Sequence, residues 1–373
     1  MKNNNYCVKV IGVGGCGCNT VSSLEKKKGA ALGECFEFIG IDTDFVNLSR
    51  QTVSKKIEIG TGGRGTAKNP DLGAQSAKES LKKIKEAVTD ADIVVICAGL
   101  GGGTGSGATG PIAQMVRSEF KCPILAVATL PFEHESQKCQ QAASEALLKI
   151  RETIPVVFPV RSGRTYVGDN PTYLEVWRAT DRTTEILLDM ISVITNRTGE
   201  QNFDFSEFQK LASISGGATI GYGDVPHDSS LAVAVSQAIS VCREEPTVSL
   251  KKAQSVAYIV LGNLTLSYKE VCEANTNLRN EINHETEILQ GTYMSGEEEL
   301  KRVYVVAVGL DNTPESQPLT VAASNGLEGD QFAMDFLATT SGHFQNCQPT
   351  YLENINYDTP TFRRQGLTLL PNL

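Results

Sequence analysis

A glycine-rich run, residues 97–110, is the part of the chain best suited to bind phosphate. It follows the apolar stretch Ile93–Cys97 and precedes Pro111–Phe120, whose composition predicts a helix. Glycine lets backbone N–H groups approach an anion closely, and the positive end of a helix dipole attracts negative charge. Thr104 and Ser106 add hydroxyl donors. The run therefore predicts a phosphate cradle, with a flexible loop as the alternative.

A second glycine turn follows the first predicted strand. Its sequence, Gly12-Val-Gly14-Gly-Cys-Gly17, matches the Gly-x-Gly-x-x-Gly pattern of dinucleotide-binding proteins. Asp42 ends the second predicted strand, where such proteins bind ribose, so an NAD-dependent oxidoreductase is one interpretation. Two glycine turns facing one crevice instead favour a nucleoside triphosphate, because together they can hold a longer polyphosphate. The Walker pattern of ordinary P-loop enzymes is absent from the sequence.

Predicted strands and helices alternate through the first part of the chain. In order they are a strand at Tyr6–Val13, a helix at Asn19–Lys27, a strand at Phe36–Ile41, a helix from Asn69 through Lys85, a strand at Ile93–Cys97, a helix at Pro111–Phe120 and a strand at Ile124–Thr129. This alternation predicts a mostly parallel sheet covered by helices, with ligands at the carboxyl ends of its strands.

The second half of the chain has a different pattern. Apolar residues near helical spacing over Tyr173–Arg197 predict one helix of about six or seven turns that ends near Gly199 and joins two domains. Beyond it we predict helices at Asp204–Leu211 and Ser229–Cys242, a turn at Asp224–Pro226, and strands at Ser255–Leu261, Thr286–Gln290 and Arg302–Val308. The second half is therefore expected to be α+β with a smaller sheet.

Composition narrows the function classes. The 373 residues suffice for two domains. A net charge of -9 argues against a nonspecific nucleic-acid binder. No stretch approaches the roughly 18 apolar residues of a membrane span, and residues 1–5 lack a signal-peptide core. Ten scattered cysteines without a Cys-x-x-Cys pair predict reduced thiols, no metal site and a cytoplasmic location.

Taken together, four segments resemble the tubulin/FtsZ superfamily, and FtsZ more closely than tubulin. Gly101–Gly107 is similar to the signature phosphate loop, and Val13–Asn19 to the first FtsZ phosphate loop. Asp42–Leu48 resembles the loop after the second strand, and Gly65–Gly73 the loop that senses the γ-phosphate. The resemblance extends from about Val8 to Leu310. It implies an α/β fold with a Rossmann-like parallel-sheet GTPase domain, a long central helix and a smaller α+β C-terminal domain.

The resemblance also implies a site for GTP or GDP. The residues it places there are Gly14, Gly15, Cys16, Gly17, Cys18, Asn19, Asp44, Gly65, Asn69, Gly101, Gly102, Gly103, Thr104, Gly105 and Ser106, with Cys16 and Cys18 replacing two glycines of the FtsZ loop.

The sugar and base contacts are implied in the same way. Glu135 matches the ribose-contacting glutamate, and Cys139 stands where FtsZ usually has arginine, a charge that Lys138 could replace. Trp177 matches an aromatic near the guanine, with a core anchor as the alternative. Asp181 matches the position that accepts hydrogen bonds from guanine N1–H and its exocyclic amine, with a helix N-terminal acid as the alternative.

The segment Asn202-Phe-Asp204-Phe-Ser-Glu207-Phe resembles the FtsZ synergy loop, which has Asp where Glu207 stands. The resemblance implies that these acids enter the nucleotide pocket of a neighbouring copy and orient a water, with Mg2+ held by the phosphates. Such a split site requires head-to-tail association, which produces filaments. The structural alternative is a helix cap at Asp204 with Glu207 as its capping-box partner. The alternating Phe203, Phe205 and Phe208 are expected to point inward.

The implied organisation has five parts. They are a GTP-binding domain at 1–176, a central helix at 177–199, a C-terminal α+β domain at 200–310, a linker at 311–355 and a tail peptide at 356–373. In the tail, Asp358, Pro360, Phe362, Arg363 and Arg364 resemble the FtsZ C-terminal peptide, which implies binding to membrane-tethering or regulatory division proteins. A random basic tail is the alternative.

The first hypothesis is therefore a filament-forming GTPase of FtsZ type that acts at the division site of a prokaryote. The second is an FtsZ-like paralogue that polymerises for another purpose with slow or absent hydrolysis, since Glu207 is one methylene longer than Asp and could misplace the water. The third is the NAD-linked oxidoreductase.

Overall fold

The structure is a computed structural model that describes residues 6–163, 170–243, 249–310, 351–352 and 355–356. The chain divides into two units, Met1–Pro314 and Glu315–Leu373. In the second unit, the described part is an antiparallel pairing of β11 (Tyr351–Leu352) with β12 (Ile355–Asn356). The domain boundaries given above stay predictions, and residues 311–350 and 357–373 lie outside the described residues.

The first half of the chain alternates strands and helices as expected. The elements are β1 (Val8–Val13), α1 (Gly14–Leu32), β2 (Phe36–Asp42), α2 (Phe45–Arg50), β3 (Lys55–Glu58), α3 (Pro70–Ala87), β4 (Ile93–Gly99), α4 (Thr104–Phe120), β5 (Ile124–Leu130), α5 (Gln137–Thr153) and β6 (Val156–Arg161). β1 is buried along its whole length because helices cover both faces of the sheet. Val8 and Val10 join a core with α1 and α7, whereas Ile11 and Val13 join a core with α3, α4 and α5.

The second half contains more antiparallel pairing. Its elements are α6 (Tyr173–Ala179), α7 (Arg182–Asn196), α8 (Phe205–Ser213), β7 (Gly216–Pro226), α9 (Leu231–Cys242), a 3-10 turn at Leu250–Lys252, β8 (Ser255–Gly262), α10 (Tyr268–Glu281), β9 (Glu287–Met294) and β10 (Leu300–Leu310). A third core lies between β8, β10, α9 and α10. None of the described helices is long and apolar enough to cross a membrane.

All ten strands of the first unit form one sheet, in the order β3-β2-β1-β4-β5-β6-β7-β10-β8-β9. The strands from β3 to β7 are parallel, and β10 is antiparallel to both β7 and β8. β6 and β7 share only the pairs Val156–Gly216 and Val157–Gly217. The smaller sheet expected for the second half is thus a continuation of the first sheet.

The glycine run is partly helical, which corrects the predicted helix start at Pro111. α4 begins at Thr104 and contains Pro111. A Cβ on Gly105 would lie 2.2 Å from the Gly99 carbonyl oxygen, and a Cβ on Gly107 would lie 1.9 Å from the Pro70 carbonyl oxygen. The glycines therefore permit close packing of α4 on β4 and α3, and the local pattern alone resembles a loop.

The predicted single helix over Tyr173–Arg197 is divided into α6 and α7. Thr180 and Asp181 separate the two helices, and the Thr180 hydroxyl donates a 2.6 Å hydrogen bond to the Trp177 carbonyl. A side-chain hydroxyl that donates to a helix carbonyl competes with the backbone N–H groups that continue the helix. This competition explains why the helix is interrupted here although no glycine or proline is present.

The turn predicted at Asp224–Pro226 is also wrong, because these residues end β7. Asp224 pairs with Arg302 and Pro226 with Leu300 of β10. Strand pairing has overridden the local turn preference of Asp and Pro.

Candidate nucleotide-binding site

A cleft of about 240 Å³ opens at the carboxyl ends of β1, β4 and β5. Both glycine turns line it, as expected for a ligand site in a parallel sheet. Its lining residues are Val13, Gly14, Gly15, Cys16, Thr66, Gly99, Leu100, Gly102, Gly103, Thr104, Gly105, Thr129, Leu130, Pro131, Phe132, Glu135, Ser162 and Trp177.

The two glycine turns pack directly against each other. Gly14 has a φ of +72°, and a Cβ there would lie 2.8 Å from the backbone nitrogen of Gly105. A Cβ on Gly99 would lie 2.8 Å from the sulfur of Cys16. Side chains at these positions would separate the turns, so the cleft floor depends on glycine at both.

Two helices begin at these turns with open N-termini. Neither Val13 before α1 nor Gly103 before α4 provides a side-chain cap. Among the described α-helices only α7 shares this property, whereas side chains cap α2, α3, α5, α6, α8, α9 and α10. Uncapped N–H groups and the helix dipole together suit an anionic ligand, so the residues present fit a polyphosphate.

Polar side chains behind the cradle are held in place. The hydroxyls of Thr43 and Thr104 lie 2.7 Å apart, and Asn47 donates a 2.7 Å hydrogen bond to the carboxylate of Asp42. Burial raises the pKa of Asp42, an effect that the bond from Asn47 opposes. Asp44 caps α2 by accepting the Asn47 N–H at 3.0 Å. This shell stabilises the loop after β2.

The side of the cleft formed by α5 contains Glu135, whose carboxylate accepts the Phe132 N–H at 3.1 Å. The Cys139 sulfur lies 3.4 Å from the same carboxylate and 3.6 Å from the Gly101 carbonyl oxygen. Burial and the charge of Glu135 raise the pKa of the Cys139 thiol. The charge of Lys68 opposes this rise. That Lys138 replaces the arginine charge toward the nucleotide stays a prediction.

Aromatic rings form the wall opposite the phosphate cradle. Trp177 lines the cleft, is 37% exposed, and lies 5.8 Å from Phe132 and 6.3 Å from Tyr173 between ring centroids. Its exposure argues against the core-anchor alternative. A planar base can stack on such a surface.

Asp181 lies one turn beyond Trp177, at the N-cap position of α7. Its side chain does not cap α7 and instead accepts a 2.7 Å hydrogen bond from Thr20 of α1. Burial raises the pKa of Asp181. Burial, with a smaller contribution from the charge of Asp181, raises the pKa of Cys16 to about 11. Asp181 therefore lies four residues after the cleft-lining Trp177 and is bonded to the helix that starts at the first glycine turn.

The acids of the 202–208 segment form a capping box at the start of α8. Asp204 accepts the Glu207 N–H at 2.9 Å, and Glu207 accepts the Asp204 N–H at 2.9 Å. The Asp204 side chain is exposed, and that of Glu207 is half-buried. Asn202 accepts the Gly199 N–H at 2.7 Å. The capping-box alternative is therefore present in the structure.

These acids lie near the amino ends of the parallel strands, whereas the cleft lies at their carboxyl ends. Phe205 stacks on Tyr6, with 4.5 Å between centroids, and Tyr6 precedes β1, whereas Gly14 follows it. A strand of this length spans about 20 Å. Ala212 of α8 lines a cavity with Pro123 and Pro155, which precede β5 and β6. The acids and the cleft of one chain are therefore too far apart to act together.

Comparisons with known proteins decide the family. The Tubulin/FtsZ family GTPase domain matches residues 7–162. Cell division protein FtsZ 2 of Rhizobium meliloti is 30% identical over 330 residues, covering 86% of this chain and 92% of that protein. This chain belongs to the tubulin/FtsZ family.

Solved structures agree with this assignment. An empty FtsZ dimer of M. jannaschii gives a TM-score of 0.68 at 28% identity, covering 82% of this chain and 88% of that chain. CetZ2 from Haloferax volcanii, a GTPγS-bound protofilament, gives a TM-score of 0.71 at 19% identity, covering 82% and 94% of the chains, a likeness of fold alone. The resemblance and fold class inferred from the sequence are confirmed. GTP and GDP are the ligands of a GTPase domain, which decides against the NAD interpretation.

The predicted site residues of this tubulin/FtsZ protein fall into two groups. Gly14, Gly15, Cys16, Gly102, Gly103, Thr104, Gly105, Glu135 and Trp177 line the cleft. Gly17, Cys18, Asn19, Asp44, Gly65, Asn69, Gly101, Ser106, Cys139 and Asp181 do not line it.

Several members of the second group shape the cleft from behind. Ser106 accepts the Gly101 N–H at 2.9 Å, and Asn69 caps α3. Gly17 packs on the Cys97 carbonyl. The Cys18 thiol is buried 3.5 Å from the carbonyl oxygens of Gly12 and Ile41, so its side chain points into the core.

Sequence reasoning missed some lining residues. Thr66 lines the cleft from within the Gly65–Gly73 loop but was not singled out there. Thr129, Phe132 and Ser162 also line it, and their position at or just beyond the carboxyl ends of β5 and β6 could have drawn attention to them. Among the described residues, no group of three metal-ligating side chains occurs.

Proposed function

We propose that this chain assembles head-to-tail into filaments and hydrolyses GTP where two copies meet, as a cell-division protein of FtsZ type. The observation that carries the proposal is the position of Asp204 and Glu207 near the amino ends of the parallel strands, opposite the cleft. In a head-to-tail contact, the face of one copy at the amino ends of its strands meets the cleft of the next copy. The named relatives are a cell division protein, an FtsZ dimer and a CetZ2 protofilament, which support self-association.

Among the described residues that line the cleft, the one carboxylate is that of Glu135, and the Phe132 N–H and the Cys139 thiol already contact it. A second copy would supply two more carboxylates, the exposed Asp204 and the half-buried Glu207. This need for an acid from outside supports a shared site.

Capping and catalysis are compatible at Asp204 and Glu207. The hydrogen bonds of the box end on Asp204 Oδ1 and Glu207 Oε2. Each carboxylate thus retains one oxygen for a water molecule. The box would hold the side chains in fixed rotamers before a partner arrives, which favours precise positioning of that water.

The proposed chemistry is attack of this water on the γ-phosphorus of GTP. The bond from the water oxygen forms as the bond to the bridging oxygen of GDP breaks, and a carboxylate accepts the proton. Mg2+, held mainly through the phosphates, would neutralise charge. Asn202 would support the loop that positions the acids.

At the base, we propose that Trp177 contacts the guanine face and Asp181 accepts from its N1–H and amine. The exposed Trp177 ring in the cleft, and the half-buried Asp181 carboxylate that Thr20 of α1 holds, support these roles. We therefore expect Asp204→Asn to lower the rate of GTP hydrolysis and Trp177→Ala to weaken GTP binding.

An FtsZ-like paralogue with slow hydrolysis and another cellular role is the second candidate. Two departures from the FtsZ pattern favour it: Glu207 is longer than the usual Asp, and Cys139 replaces the usual arginine. Phosphate release per filament distinguishes this candidate from the first.

The first test measures phosphate release against protein concentration. Shared-site hydrolysis gives almost no activity below a critical concentration and a linear rise above it. Activity proportional to protein over the whole range would contradict the proposal.

Mixing two variants gives a sharper test. Asp204→Asn keeps the cleft and removes the acid, whereas Gly105→Val keeps the acid and fills the cleft floor. Each variant alone is expected to be inactive, and the mixture to regain activity because intact halves meet at mixed contacts. Two folded variants that stay inactive together would overturn the shared site.

The tail residues Asp358, Pro360, Phe362, Arg363 and Arg364 lie outside the described residues. We propose, from the sequence, that they bind membrane-tethering or regulatory division proteins and so bring cytoplasmic filaments to the division site. A fluorescent fusion of Phe362→Ala is expected to lose localisation at the septum while still assembling. Unchanged localisation would remove the tail from this role.

A further inference from the structure

Helices α1 and α7 run side by side and in the same direction. Thr20 contacts Asp181 at 2.7 Å, Lys28 contacts Asp189 at 2.9 Å, and Asn196 donates to the Leu32 carbonyl at 3.0 Å. The residue numbers rise together along both helices, which places both N-termini at the cleft. α1 begins at the phosphate turn, so it connects the phosphate end of the site to Asp181.

The Asp181 side chain is held by α1 and not by its own helix. An Asp at an N-cap ordinarily accepts an N–H from the following turn, but Asp181 makes no such bond. Thr20 donates to its Oδ1. Burial raises the pKa of the Asp181 carboxyl, and the hydroxyls of Thr20 and Ser23 oppose that rise. These donors offset part of the cost of burying a charged carboxylate.

We infer that Thr20 is a positioning residue that orients the Asp181 carboxylate toward the base and thereby sets the selectivity for guanine. The inference rests on the proposed base contact by Asp181. With Oδ1 fixed by the Thr20 hydroxyl, the plane of the carboxylate is fixed as well, and its remaining acceptor sites face a defined direction. A carboxylate free to rotate would discriminate less well between purines that differ in one donor.

The test compares Thr20→Val with Thr20→Ser. Valine has nearly the shape of threonine but donates no hydrogen bond, whereas serine keeps the donor. Affinities for GTP and ITP, which lacks the exocyclic amine, are measured by calorimetry. We expect wild type to prefer GTP, Thr20→Val to lose about tenfold in GTP affinity and most of the preference over ITP, consistent with loss of one buried hydrogen bond, and Thr20→Ser to retain both.

Lys28→Met is the matched control. It removes two α1–α7 ion pairs that do not touch Asp181, those of Lys28 with Asp189 and with Glu185. Glu185 keeps its ion pair with Lys27, so the charges that act on Asp181 stay paired. We expect it to leave the ratio of GTP to ITP affinity unchanged. An equal loss of selectivity in Lys28→Met would show that helix docking in general, and not Thr20, is responsible.

A pH titration provides a second readout. GTP affinity should fall on acidification as Asp181 is protonated, and loss of the Thr20 donor raises the pKa of Asp181 further, so the fall in Thr20→Val occurs at higher pH. A folded Thr20→Val with wild-type selectivity and pH profile would overturn the inference. Wild type that binds GTP and ITP equally would also overturn the inference, because Asp181 would then not recognise the exocyclic amine. Failure of wild type to bind GTP would instead refute the GTPase proposal itself.

Discussion

The two ends of the parallel strands differ in which groups they present. At the carboxyl ends, which form the cleft, backbone groups dominate. Glycines pack on glycines there, and α1 and α4 leave their first N–H groups uncapped. At the opposite end, where the strands begin, side chains are presented instead: Asp204 and Glu207 satisfy the N-terminus of α8, with Asp204 exposed and Glu207 half-buried. The cleft is thus preformed for an anion, while the acids are stable without one.

This difference separates the expected effects of mutation. Changes in the cleft disturb packing and binding together, because no space exists for a side chain. Changes at the acids affect turnover alone, since other N-cap residues can replace their structural role. The predictions below are ordered from the largest expected effect to the smallest.

Gly105→Val is expected to abolish nucleotide binding. Even its Cβ would lie 2.2 Å from the Gly99 carbonyl oxygen, so α4 must move away from β4. The matched control is Gly110→Ala on the same helix, where a Cβ meets no atom within 4 Å and helix propensity improves by about 1 kcal/mol. Nucleotide retained after denaturing the purified variants is measured. Normal GTP content in Gly105→Val would show that the floor of the cleft is not rigid.

Asp204→Ser is expected to lower phosphate release about a hundredfold, the cost of losing a well-positioned group. Serine still caps a helix, so α8 and GTP binding should be unaffected. Ser267→Ala, which removes the cap of α10, serves as the control and should lower stability by about 1 kcal/mol without changing turnover. Equal turnover in Asp204→Ser and wild type would show that Asp204 only caps α8 and has no role in hydrolysis.

Cys139→Arg is expected to strengthen GTP binding by about tenfold. Cys139 lies beside Glu135 at the cleft, where an added cation would interact with both the carboxylate and phosphate. Cys272→Arg places the same charge on α10 as a control. The gain should shrink with added salt. A gain of equal size in both variants would indicate a nonspecific charge effect.

The smallest effect concerns pH. Hydrogen bonds from Ser206 and from the Glu207 N–H lower the pKa of Asp204 below its ordinary value of 3.8. A carboxyl with a lowered pKa stabilises the fold above its ordinary value, and this stabilisation is lost as pH falls through the lowered one. Acid unfolding of Asp204→Asn should therefore depend less on pH below about 4. Identical acid transitions would show that the cap adds nothing to stability.

Much of the nucleotide half of the fold could be predicted from the sequence. β1, β2, β4 and β5 are nearly continuous apolar runs, and the glycine turns follow two of them directly. Short apolar runs of this kind favour buried strands, and the helices between them favour parallel pairing. The start of α4 was missed because Gly105 and Gly107 read as a loop when their packing partners are unknown.

Other features depend on tertiary contacts. The division at Thr180 arises from one hydroxyl bonding a carbonyl, and β7 extends through Pro226 because β10 pairs with it. The distance between Asp204 and the cleft follows from where α8 packs, which no local pattern contains. Likewise, Thr20 is an ordinary helix residue in the sequence, and only the neighbouring α7 reveals its contact with Asp181.

The seam between β6 and β7 has a mechanical consequence. These strands share two residue pairs, whereas other neighbours in the ten-stranded sheet share four or more. A bending load on the molecule therefore concentrates at this line, beginning at Gly216, whose φ of +141° excludes most other residues. Few backbone hydrogen bonds cross this line, so the hydrophobic core that continues from β6 through α7 to β7 holds the two parts of the sheet together.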